Sequence, residues 1–246
     1  MRNKFAIGLA IASISGFASS YALANPTAIT LGNGYGSLAG EFKAKVVAGT
    51  STPYQGSSVL YGTGTSFITF CLERTEYFNY YDTQTLYVKG APNTGAKNGG
   101  YGGAIADPNG GVWDPISSQT AYLYTKFSNG TLSSYDYGNA AARVADADAL
   151  QNAIWYLENE QLASYTLSGQ ALTWVNEANT AIAANQWSGI GNVRVLNLYK
   201  DANFSQISQD QLYIETPVPE PETYAMLLAG LGLIGFVAKR RRRQLP

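Results

Sequence analysis

Two residues in this chain have side chains that could react with each other, Cys71 and Gln151. Cys71 is the only cysteine, and it follows Phe67, Ile68, Thr69 and Phe70 in a run whose polar relief is one threonine hydroxyl. Gln151 belongs to the segment NAAARVADADALQNAIWYLENE. At about 100° per residue it falls inside the apolar stripe of a helix, with Ala147 one turn before it and Ile154 and Trp155 one turn after. A buried carboxamide needs partners, because leaving it unsatisfied costs about 1–3 kcal/mol. A thiolate is a strong nucleophile and a carboxamide a poor electrophile, so the pair reacts only when a fold holds the two in contact and away from water. Reaction would expel ammonia and leave a thioester. A lysine amine or a hydroxyl on a target surface could then open that bond, attaching the protein through Gln151, and one such attack would use it up. The unreactive alternatives are a core thiol beside a hydrogen-bonded glutamine, and a disulfide between two chains.

The segments FCLE around Cys71 and LQNAIWYLE around Gln151 resemble the two halves of the thioester domain of Gram-positive adhesins, in which an aromatic-Cys strand meets a helix bearing Gln-x-Ala-Ile-Trp. The likeness runs from Phe67 to Glu158; Gln151, Ala153, Ile154 and Trp155 fit, and Leu150 stands where the motif has threonine. The resemblance implies Cys71 and Gln151 as the bonded pair, with Phe70, Ala147, Ile154 and Trp155 as its surroundings.

The elements that must position this pair change character along the chain. From Thr27 to about Tyr137, short β-branched and aromatic runs alternate with Gly, Pro and Asn clusters, which predicts strands over Phe42 to Val47, Ser57 to Tyr61, Ser66 to Leu72 and Leu86 to Val88. Ala91 to Gly111 reads as a long exposed loop. Three helices are predicted: Ser118 to Phe127, with Ala121, Leu123, Tyr124 and Phe127 inward; Asn139 to Glu160, with Val144, Ala147, Leu150, Ile154 and Trp155 as its stripe; and Ala171 to Gln186, with Leu172, Val175, Ala178 and Ile182 inward. Val193 to Leu198 and Gln211 to Ile214 read as closing strands. The expected class is α+β, a β-rich sandwich or barrel-like scaffold with a small helical insertion.

Histidine is absent, which removes the Ser-His-Asp and Cys-His arrangements and nearly every catalytic zinc site. No cofactor and no metal is expected, and the protein reads as non-enzymatic. Glu73 and Glu76 are a conceivable carboxylate pair for glycan cleavage. Asp107, Pro108, Asn109 and Gly110 read as a turn, although a calcium loop uses similar oxygens. Asp146 and Asp148, two apart on a helix, point in different directions and suit solvation.

Both ends read as addresses. Arg2 and Lys4 precede an apolar run, and Ala22 and Ala24 are the small residues a signal peptidase reads, so residues 1–24 form a predicted signal peptide and the mature domain spans 25–217. At the other end, Pro219, Glu220 and Pro221 precede an apolar run over 224–238 that stops at Lys239, Arg240, Arg241, Arg242 and Arg243. That run of 15 residues with three glycines is short against the roughly 20 needed to span a bilayer core, and the basic cluster holds its end in the cytoplasm. Residues 218–246 resemble a PEP-CTERM sorting signal with a transmembrane helix. The resemblance implies an exosortase partner at the inner membrane of a Gram-negative bacterium and delivery to the cell surface or extracellular matrix, often alongside exopolysaccharide. Without the removed ends, nine Lys and Arg face 15 Asp and Glu, a net charge of about −6, which argues against nucleic acid. The competing reading is a passive structural or polysaccharide-binding matrix protein with no reactive bond.

Overall fold

The structure, a computed structural model, describes residues 28–35, 40–47, 66–78, 84–89, 93–97, 104–107, 111–138, 140–161, 165–215 and 226–234. The signal-peptide cleavage residues Ala22 and Ala24, the strand expected over Ser57 to Tyr61, the sorting residues Pro219, Glu220 and Pro221 and the cations Lys239 to Arg243 lie outside the described residues.

One antiparallel sheet has the order β3-β2-β1-β4-β9, formed by β1 (Ala28–Asn33), β2 (Phe42–Val46), β3 (Ser66–Thr69), β4 (Thr85–Val88) and β9 (Leu198–Tyr199). In β2 the pleat puts Phe42, Ala44 and Val46 inside, with Lys45 exposed. A second pair joins β8 (Val193–Leu196) to β10 (Gln211–Ile214), and a third small sheet has the order β5 (Gly95–Lys97), β7 (Val112–Pro115), β6 (Ile105–Ala106). The stretch expected to be one open loop, Ala91 to Gly111, therefore carries two strands. They are too short and too poor in apolar residues to show a period of two in the sequence.

Three helices form a layer of their own: α1 (Ser118–Ser128), α2 (Ala140–Leu157) and α3 (Gly169–Ala183). Ser117 caps α1 by accepting from the Thr120 N–H at 3.1 Å. Asn159, in the left-handed region at φ 61°, ends α2 with a 2.7 Å bond from the Glu160 N–H to the Trp155 carbonyl, the Schellman pattern. The helices pack with Ile68, Phe70, Leu72, Val193, Val195, Leu212 and Ile214 in one apolar cluster, while Ile29, Leu31, Phe42, Phe67, Cys71, Leu86, Leu196 and Tyr213 form another. The β3 run thus separates two cores: Ile68, Phe70 and Leu72 face the helices, and Phe67 and Cys71 face the sheet side. This arrangement corrects the expected scaffold. Helix is a full layer rather than a small insertion, and among the described residues no barrel closes.

Helix α3 is rotated from its expected orientation. Ala171, Trp174, Val175, Ala178 and Ala181 are buried, whereas Leu172 is exposed and Ile182 half-buried. Trp174 decides this, since its large ring is fully buried against Tyr135 and its indole N–H donates to the Ser133 carbonyl at 2.8 Å. In α2, Val144 is only half-buried. Its neighbour Arg143 is buried instead, paired with Glu41 at 2.8 Å.

Candidate functional site

Cys71 lies just past β3 and opposite Gln211, the first residue of β10, as an antiparallel bridge. The ladder bonds flank this pair: Leu72 N–H donates to the Asp210 carbonyl and Leu212 N–H to the Phe70 carbonyl, both at 3.1 Å. Cys71 and Gln211 are therefore a non-hydrogen-bonded pair, the type whose side chains come closest on a shared face. The Gln211 Nε2–H indeed donates to Cys71 Sγ at 3.2 Å. Its Oε1 lies 3.2 Å from the Thr69 hydroxyl, which can donate either there or to the Leu212 carbonyl at 2.6 Å. Thr69 is two residues before Cys71 and so on the same face of the pleat.

In such a pair the backbone N–H and C=O of Cys71 point away from β10. Gln151, on α2, meets them: the Cys71 N–H donates to Gln151 Oε1 at 2.9 Å, and Gln151 Nε2–H donates to the Cys71 carbonyl at 2.7 Å. The carboxamide acts as a missing strand, satisfying a peptide group that would otherwise be orphaned in the core. Cys71 and Gln151 are thus brought together, but the contact is with the Cys71 backbone. The carboxamide that faces the sulfur belongs to Gln211, which sequence reasoning placed only in a closing strand. The one signal for it was a glutamine opening the apolar run Leu212-Tyr213-Ile214.

The expected surroundings divide in the same way. Trp155 packs against the cluster containing Cys71, and the Arg74 guanidinium sits 5.5 Å from the centre of its ring. Phe70 and Ile154 are fully buried on the other side of the strand, in the helical core, because pleat and helix period turn them away from the sulfur. Ala147 is fully buried as well. The thiol has no exposed surface, and burial pushes its pKa well above the ordinary range even though Gln211 donates to it.

Asp210 anchors the start of β10. It accepts from Lys97 N–H at 2.7 Å, Asn197 Nδ2–H at 2.6 Å and Leu198 N–H at 2.9 Å, tying two separate segments to the residue before Gln211. Other carboxylates converge nearby. Glu73, two residues past Cys71, is pushed up to about 9, first by burial and then by the charges of Glu160, Glu76, Asp210 and Asp114. Asp114, on β7, is pushed up to about 7 by burial and by Glu158 and Glu160. Burial likewise raises Glu160. Glu73 and Glu76, considered as an acid pair, are members of this larger group. Neither Asp146 nor Asp107 is simply solvated: Asp146 accepts from Asp136 N–H at 2.7 Å, and Asp107 pairs with Lys97 at 2.9 Å, while Pro108, Asn109 and Gly110 lie outside the described residues.

At the C-terminal end, residues 226–234 are helical and exposed throughout, including Met226, Leu227, Leu228, Leu231, Leu233 and Ile234. Among the described residues no helix is long and apolar enough to cross a membrane. Residues 217–243, which contain this helix, match the family model of the PEP-CTERM protein-sorting motif. The chain carries a PEP-CTERM sorting signal. It is accordingly an exosortase substrate, an exported protein of a Gram-negative bacterium that is processed at the membrane. No curated protein and no solved structure matches the chain, so the thioester-domain resemblance rests on the residues quoted for it.

Proposed function

We propose that this exosortase-sorted protein carries an internal thioester between Cys71 Sγ and Gln211 Cδ, and that it uses the bond to attach covalently to an amine or hydroxyl at the cell surface or in the extracellular matrix. The observation that carries the reading is the Gln211 carboxamide, held with its nitrogen 3.2 Å from the sulfur and its oxygen within reach of the Thr69 hydroxyl. Attack forms the S–C bond and breaks the C–N bond; the thiol proton leaves with the nitrogen as ammonia. The Thr69 hydroxyl, 2.6 Å from the Leu212 carbonyl and 3.2 Å from Gln211 Oε1, would turn from Leu212 to donate to the carbonyl oxygen on which negative charge develops, the role of an oxyanion-hole donor. Gln151 fixes the Cys71 backbone and so the direction of the sulfur. Cys71 and Gln211 are both fully buried, so water reaches the finished bond only when the strand pair opens, and a target amine needs the same opening. A target amine would then take the Gln211 acyl group and restore the thiol, so each molecule acts once and is not an enzyme.

Intact mass of the exported domain tests this. The reading expects a deficit of about 17 Da from lost ammonia, adducts with methylamine that map to Gln211, and full mass in Cys71→Ala and Gln211→Ala. Full mass in the unaltered protein, with a thiol that titrates after denaturation, would leave the passive matrix reading in its place.

A further inference from the structure

Three carboxylates from distant parts of the chain converge beside the Cys71 strand: Glu73 after β3, Asp114 on β7 and Glu160 beyond α2. One oxygen from each lies within 4.8 Å of the others, and all three residues are buried. Separations up to that limit suit oxygens that share one cation, since two ligands at about 2.4 Å from a calcium ion are at most about twice that distance apart. Local backbone features bring the three together. The αL turn at Asn159 returns the chain so that Glu160 faces β3, where its Oε2 accepts from Arg74 N–H at 3.2 Å. Gly95 lets β5 lie against Trp113 and Asp114 more closely than any side chain would allow.

The Glu73 and Glu160 carboxyls lie within hydrogen-bond reach of each other, a contact that requires a shared proton and leaves Glu73 Oε2 and Glu160 Oε1 without a donor when both groups are ionised. Both oxygens are buried, and each residue is only 1% exposed. The ion pairs Lys97 with Asp107, Arg143 with Glu41 and Arg194 with Glu215 involve none of the three. The Arg74 guanidinium is turned to Gln161 at 2.6 Å and over Trp155. Buried carboxylates without donors or cations are costly unless a metal or shared protons compensate them.

We propose that Glu73, Asp114 and Glu160 form a binding site for a divalent cation, Ca²⁺ in the exported protein. An all-oxygen set selects a hard ion, and three carboxylates can supply up to six oxygens, the lower end of calcium coordination. The ion would fasten the end of β3, the β7 strand and the C-terminal turn of α2 to one point. The proposal stands independently of the thioester, since none of the three residues takes part in that bond.

The test uses the full chain, stripped with EDTA and titrated calorimetrically with CaCl₂, MgCl₂ and MnCl₂, with thermal melting alongside. One Ca²⁺ per chain is expected, bound more tightly than Mg²⁺, with Tm raised by about 5–10 °C when Ca²⁺ is at 100 times Kd. Glu160→Gln and Asp114→Asn should each weaken binding at least about 10-fold and lose the Tm rise. In EDTA they should melt no lower than the unaltered protein, because each removes a like charge, and this shows that they fold. Glu215→Gln, outside the cluster, should respond to Ca²⁺ normally. Absence of heat and of any melting shift with all three ions would overturn the proposal and leave shared protons as the compensation. Undiminished Ca²⁺ binding in both cluster variants would also overturn it, by placing the ion elsewhere.

Discussion

Replacing Gln151 by methionine separates its role from that of Gln211. Methionine keeps the volume of the side chain but removes both hydrogen bonds to Cys71, the 2.9 Å bond from its N–H and the 2.7 Å bond to its carbonyl. Two buried peptide groups are then left without partners, and at about 1–3 kcal/mol for each the loss is about 2–6 kcal/mol. Gln211→Met leaves no comparable orphan. The Thr69 hydroxyl keeps the Leu212 carbonyl at 2.6 Å, so about 1 kcal/mol or less is expected. Both substitutions should be made in a Cys71→Ala background, where no cross-link contributes, and compared by urea denaturation with the m-value monitored. The expected order is a large loss for Gln151→Met and a small one for Gln211→Met. Equal losses, or a Gln151→Met cost below about 0.5 kcal/mol, would refute the assignment of Gln151 as the backbone partner and Gln211 as the residue that serves the sulfur.

Two further outcomes follow from other parts of the fold. Arg143 pairs with buried Glu41 through Nε and Nη2 at 2.8 and 2.9 Å, and Tyr135 also donates to that carboxylate; Arg143→Ala strands the charge and should cost about 3–5 kcal/mol in chemical denaturation, with Glu41→Gln/Arg143→Met recovering part of it. In the turn between β9 and β10, desolvation raises the Asp201 pKa, but N–H donors from Gln206, Ser205 and Asn203 and the Ser205 hydroxyl outweigh it and leave the group below 3.8. A depressed carboxylate stabilises the fold above its unfolded value and loses that contribution as pH falls through the folded value, so melting profiles at acid pH should fall less steeply in Asp201→Asn than in the unaltered protein.

The sorting signal was legible because it is a linear pattern: Pro-Glu-Pro, an apolar run and a basic stop carry their meaning without a folded context. Helices α1 and α2 were legible for a related reason, since a period of 3.6 over many residues marks the inward face, as with Ala121, Leu123, Tyr124 and Phe127. Local pattern also marked Cys71 and Gln151 as inward-facing, a buried thiol strand and a carboxamide inside an apolar stripe; their pairing was implied by the family resemblance, and the fold makes the contact through the Cys71 backbone instead of the sulfur. Three matters were settled only by tertiary structure. Which glutamine faces the sulfur depends on strand pairing: Cys71 and Gln211 are opposed across a ladder between segments 140 residues apart, and β10 is buried on both faces, so no alternation announces its register. The rotation of α3 was set by where the fold had room for the Trp174 ring. The convergence of Glu73, Asp114 and Glu160 arises from three separate elements, and a site assembled by long-range packing leaves no spacing along the chain for sequence to reveal.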